Sequence, residues 1–113
     1  LYLILQLKFF QQQKVMVMKM SVLRNAGELE KKGIPGPEGS ILKVAWSELD
    51  QRIKAAAIDI LGPGALIQEG DPLALDAGYW AYEALWSRAA TIYAGTSEVQ
   101  RNIIANRVLG LPR

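Results

Sequence analysis

The chain has 113 residues, half of them apolar, with 13 Lys and Arg against 11 Asp and Glu for a net charge of +2; this suffices for one domain, 1–113, with a modest core. Its basic residues are scattered, with Lys31-Lys32 the only adjacent pair, so no nucleic-acid footprint is expected. The absence of Cys and His excludes disulfides, thiol nucleophiles, Cys/His zinc sites and Ser-His or Cys-His relays, leaving carboxylates, Lys and Tyr for acid-base work and no expected metal site.

The opening LYLILQLKFF is too short to span a membrane, which takes about 20 apolar residues. Gln6, Lys8 and the run Gln11-Gln12-Gln13-Lys14 interrupt it. It has neither the basic start nor the small-residue cleavage site of a signal peptide, and the lack of cysteine fits a cytoplasmic protein. Leu1 to Phe10 reads as an extension of the next helix, with an alternating strand as the alternative because Leu1, Leu3, Leu5 and Leu7 share one parity.

Val15, Met18, Val22, Ala26 and Leu29 fall at helical spacing and predict an amphipathic helix ending near Gly33. Met16, Met18 and Met20 read as bundle core and flank, or as an adaptable binding surface. Gly33 to Gly39, with two prolines and three glycines, predicts a hairpin between helices. Ser40 stands at an N-cap position, and Leu42, Ala45, Trp46, Leu49, Ile53, Ala56, Ala57 and Ile60 trace one apolar stripe. Two long helices joined this way should lie antiparallel.

Leu61-Gly62-Pro63-Gly64 ends the second helix, and Gln68 to Asp76 reads as loop. A shorter helix from about Gly78 to Ala90 should bury some combination of Trp80, Leu85 and Trp86. Ser97 followed by Gln100 matches a capping box, Val99, Ile103, Ile104 and Val108 give the last helix its apolar side, and Gly110 with Pro112 marks its stop. The architecture is all-α, a helical bundle.

The segment TIYAGTSEVQRNIIANRVLGLPR, Thr91 to Arg113, closely resembles the C-terminal signature of the acyl-CoA dehydrogenase family, in which a Tyr-x-Gly-Thr-Ser-Glu/Gln-x-Gln-Arg turn opens the final helix. PGPEGSILKVAWSELDQR, Pro35 to Arg52, resembles the hairpin and following helix of a bacterial subgroup. Asp59 to Gly64 sits where the family carries Gln-x-x-Gly-Gly-x-Gly. Together these matches span roughly Arg24 to Arg113. They imply the family's C-terminal four-helix bundle lacking its first helix, and hence a C-terminal piece of a longer protein.

The resemblance implies FAD as cofactor, contacted by Thr96, Ser97 and Glu98, with Gly95 bordering the acyl-CoA. A helix start presents free N–H groups and a positive dipole end that suit a diphosphate; Glu98 would repel a phosphate, so a ribose or adenine contact is expected of it. The corner Asp59, Ile60, Leu61, Gly62 and Pro63 corresponds to one that reaches the FAD of a neighbouring subunit, implying a homo- or hetero-oligomer. Here Asp59 replaces Gln and Pro63 replaces a glycine, which adds a negative charge and removes a backbone donor.

The implied reaction is α,β-dehydrogenation of an acyl-CoA thioester, with electrons passing to electron-transfer flavoprotein. A carboxylate takes the α proton, and in many members it directly precedes Gly-Thr-Ser; this chain has Ala94 there. The base then lies on an upstream helix, comes from a partner subunit, or is absent; no carboxylate here has a context that nominates it as catalytic. The alternatives are a non-catalytic helical interaction module derived from the family, and an unrelated bundle with a capping box.

Overall fold

The computed structural model describes residues 2–112. Its helices are α1 (Tyr2–Lys32), α2 (Glu38–Leu61), α3 (Tyr79–Trp86) and α4 (Ser97–Ile103), with 3₁₀ turns at Gly62–Leu66, Leu75–Gly78 and Ser87–Thr91. No strand occurs among the described residues, so the all-α expectation holds. One compact unit runs to Trp46 and resumes at Ser97; the other is Ser47–Thr96.

In the first unit α1 begins well before Val15, so residues 2–10 extend the helix and the strand alternative fails. Its apolar side stays open: Val22 is 50% exposed and Leu23 66%. Leu1 and the side chains of residues 2–8 and 11 lie outside the described residues. The helix closes where Gly33 takes a φ of 72° and its N–H bonds to the Leu29 carbonyl, a left-handed stop suited to glycine.

α2 starts at Glu38, two residues before the expected cap Ser40. Pro37 fixes its own φ, and its carbonyl accepts from the Ser40 N–H at 3.0 Å, so the helix is already under way where Ser40 would cap it. Val22, Leu29 and Lys32 of α1 and Glu38 and Leu42 of α2 line one mostly apolar groove beside the Pro-Gly turn. α4 continues as a π turn over Ile104–Val108, and the Leu111 N–H reaches the Ala105 carbonyl around Gly110, whose φ is 67°; the predicted Gly110 stop is thus formed.

The second unit has a core of small residues. Leu49, Ala65, Ala81 and Ala90 are buried with Ser47 and Ser87. The expected burial of large side chains does not occur: Leu85 and Trp86 are 67% and 57% exposed, and Trp80 is half-buried with its indole N–H on Asp76 at 2.6 Å. The reason is spacing, since Ala81 supplies the inward position of α3 and Ser87 and Ala90 that of the following 3₁₀ turn, placing the large rings on the other faces. Tyr82 and Trp86, one helical turn apart, stack on each other at 6.3 Å.

Asp76, Ala77 and Gly78 take successive φ values of 48°, 53° and 80° just before α3. This left-handed run lets the Gly78 backbone lie against Gln68 and Glu69, where a Cβ would overlap Glu69 N and sit 2.7 Å from the Gln68 carbonyl carbon. Gly78 is buried.

Two polar arrangements join α2 to the stretch after it. Lys54 Nζ lies 2.9 Å from Asp50 and 2.6 Å from Glu83, and the lysine side chain is only 14% exposed. Burial pulls the Lys54 ammonium down, but the hydrogen bonds it donates to Glu83 and Asp50, together with their charges, outweigh it and hold it above the usual lysine value. Gln51 Nε2 donates to the Ser87 carbonyl at 3.0 Å and to Thr91 Oγ1 at 3.1 Å. Replacing Gln51 with Leu leaves those acceptors unmatched, and thermal or urea unfolding should register a loss of about 1–3 kcal/mol.

Candidate cofactor-binding turn and corner

The signature turn grows from the 3₁₀ segment Ser87–Thr91. Thr91 Oγ1 donates to the Arg88 carbonyl at 3.0 Å while accepting from Gln51, and the N–H groups of Ile92 and Tyr93 both reach the Ala89 carbonyl. Ala94 and Gly95 then turn the chain with φ values of 54° and 88°. Glycine takes that conformation freely, whereas alanine at 94 costs about 1–2 kcal/mol. Ala94 is thus both without a carboxylate and in left-handed backbone.

α4 opens at Ser97 itself, so Thr96, not Ser97, is the residue that precedes the helix. Ser97 is 7% exposed, and its hydroxyl has no hydrogen-bond partner. The expected Ser97–Gln100 capping box is therefore not formed, because a cap hydroxyl must stand outside the first turn to reach the N–H two or three residues on. An oxygen buried without a partner is destabilising and calls for an explanation. Glu98 extends outward, 78% exposed in its side chain, with Arg101 3.8 Å away on the next turn. Gly95 and Thr96 close the second compact unit, and Ser97 and Glu98 open the returning segment of the first.

The absence of a cap bond makes a distinguishing prediction. Ser97→Ala should leave unfolding stability within about 0.5 kcal/mol of the parent or raise it, since no hydrogen bond is lost. A working cap would lose about 1 kcal/mol.

The second group of expected residues forms the corner after α2. Asp59, Ile60 and Leu61 are exposed on its last turn. Gly62 takes a φ of 71°, and Pro63 enters the first turn of the 3₁₀ segment, where its missing donor is tolerated. Nothing lies within 4 Å of the position a Gly62 Cβ would take, whereas that of Gly64 is backed by Leu75 at 3.4 Å. The corner is open at Gly62 and packed behind it. Chain contiguity gathers Asp59–Pro63 into this corner and Gly95–Glu98 into the turn.

A model of the family described as acyl-CoA dehydrogenase, C-terminal domain, matches residues 10–109. The chain belongs to the acyl-CoA dehydrogenase family. It is 40% identical over 80 residues to the acyl-CoA dehydrogenase IpdE1 of Mycobacterium tuberculosis, covering 70% of this chain and 19% of that protein. The IpdE1 of Mycolicibacterium smegmatis is 40% identical over 79 residues, with the same coverage. In structure the chain is similar to one in the crystallised ChsE4-ChsE5 complex of Mycobacterium tuberculosis, with a TM-score of 0.78 and 30% identity over 90% of this chain and 26% of that one. The chain thus spans about a fifth of the length of the curated relatives it matches.

Within this acyl-CoA dehydrogenase domain, two residue groups escaped the sequence reading. Asp50 and Lys54 were visible as a helical i, i+4 pair, but Glu83 arrives only through the fold. Gln51 carries no local signal at all, yet it holds the segment from which the signature turn departs. Among the described residues no three Asp or Glu side chains gather as a metal site would require, and no helix is long and apolar enough to cross a membrane.

Proposed function

We propose that this chain supplies FAD-binding and subunit contacts as the C-terminal part of an FAD-dependent acyl-CoA dehydrogenase acting on acyl-CoA thioesters. The observation that carries this reading is the family match across residues 10–109, a stretch that includes the turn with the buried, unpartnered Ser97 hydroxyl. That hydroxyl is shielded from solvent, so a cofactor oxygen satisfies it only where the turn opens, and Gly95, having no side chain, allows a close approach there. The residues present fit the group: Thr96 and Ser97 offer hydroxyls, Glu98 takes a ribose or adenine hydroxyl or amine, and Gly95 borders the acyl-CoA.

Gly62 presents the open corner, with Asp59, Ile60, Leu61 and Pro63, to the cofactor of a neighbouring subunit. That contact relies on fewer donors than a Gly-Gly corner, since Pro63 has no N–H. The chemistry FAD supplies in this reaction is acceptance of hydride from the acyl β carbon. Ala94 takes no proton, so the α proton goes to a carboxylate elsewhere in the protein or on a partner subunit. Electron-transfer flavoprotein is the proposed oxidant, the assembly is a homo- or hetero-oligomer, and the compartment is the cytoplasm.

A second reading, a non-catalytic helical interaction module, is favoured by Ala94 and Pro63. Reconstitution separates the two. The full protein, supplied with a candidate partner subunit and FAD, is offered acyl-CoA thioesters of several chain shapes while reduction of an electron acceptor is followed. Turnover that needs both subunits supports the dehydrogenase; partner binding without turnover on any thioester supports the module.

A further inference from the structure

Apart from the turn and the corner, α2 carries a second polar feature. Glu48, Gln51, Arg52 and Ala55 share one face of the helix, and Arg88 reaches the same place from the 3₁₀ turn; together they line a shallow groove of about 360 Å³. Both guanidinium groups are oriented without being neutralised. Arg52 Nε donates to the Glu48 carbonyl at 3.1 Å, and Arg88 Nη1 donates to Gln51 Oε1 at 3.4 Å. Gln51 is itself fixed by its two bonds to Ser87 and Thr91. Among the described residues neither arginine has an ion-pair partner.

Two cations held at one groove repel each other, and each keeps N–H donors free in the planar fork that matches an oxyanion. Glu48 lines one part of the groove, which disfavours a second anion there and favours a single compact one. The two orienting acceptors are a main-chain carbonyl and a neutral amide, so the pair's charge is left for a ligand. We propose that Arg52, held by the Glu48 carbonyl, and Arg88, positioned by Gln51, form a binding site for a phosphate-class oxyanion, sharing no residue with the turn or the corner.

The test follows the Arg52 and Arg88 side-chain Nε–Hε resonances of the full chain by NMR, in chloride matched for ionic strength. One arm adds inorganic phosphate and the other adenosine 3′,5′-bisphosphate, so a free anion is distinguished from a nucleotide's phosphate. Saturable shifts of both resonances are expected in at least one arm. Arg88→Gln should weaken the binding seen at Arg52 about tenfold, and Arg52→Gln should do the same at Arg88. Shifts that fail to saturate in either arm, or binding unchanged in both variants, would overturn the site; neither result bears on FAD binding at Gly95–Glu98.

Discussion

Replacing Gly78 with alanine should be among the most damaging single changes in this chain. The residue sits at a φ of 80°, as the third of three left-handed positions, and an added methyl would overlap the Glu69 backbone nitrogen. Left-handed backbone costs an L-residue about 1–2 kcal/mol, and forcing a methyl into packed backbone adds about 1–3 kcal/mol more. The obstacle is main chain and not a flexible side chain, so it cannot swing aside. The expected loss is about 2–5 kcal/mol, read as a fall in the thermal midpoint. Gly70→Ala is the control: its φ is also positive, at 96°, but its Cβ would meet nothing within 4 Å, so only the backbone cost should appear.

Replacing Lys54 with methionine should have a comparable effect for an electrostatic reason. The ammonium stands between Asp50 and Glu83, whose side chains are only 23% and 21% exposed. Methionine keeps much of the volume but leaves two carboxylates close together and poorly solvated. Removing one partner of a fully buried pair costs about 3–5 kcal/mol; with residual exposure here, about 2 kcal/mol is expected. The pH dependence has a definite sign. The folded-state pKa of Lys54 is raised above its ordinary value of 10.5, so its contribution is fully present below that value and is lost as pH rises through the folded pKa. Stability of the parent should therefore fall more steeply above pH 10.5 than that of Lys54→Met.

The helices were legible where apolar spacing and punctuation agreed. α2 shows both, in the stripe from Leu42 to Ile60 and the stop at Gly62-Pro63, and only its first turn was misjudged, because Pro37 starts the helix ahead of Ser40. The interior of the second unit was not legible. Hydrophobic size pointed to Trp80, Leu85 and Trp86, whereas the positions that face inward are held by Ala81, Ser87 and Ala90. Small residues give a weak burial signal on their own, and Trp86 and Leu85 are left exposed while Trp80 is half-buried.

The signature turn is legible in the sequence as a motif but not in its mechanics. Ser97 and Gln100 have the spacing of a capping box, but Ala94 and Gly95 both turn left-handed and the helix begins at Ser97. The hydroxyl is thereby buried without a partner. Asp76 and Ala77 could not be read as left-handed, since neither residue type announces it; Gly78 alone carried a hint. The Arg52–Gln51–Arg88 arrangement depends on residues 36 and 37 positions apart in the chain, a separation that no local pattern encodes.

The central claim is that the turn Gly95–Glu98 holds a dinucleotide, and flavin fluorescence on titrating FAD with the full chain tests it most directly. Saturable quenching at micromolar protein is predicted, weakened by Ser97→Ala while the thermal midpoint of that variant stays at the parent value. An unquenched flavin, or quenching that Ser97→Ala leaves untouched, would contradict the claim.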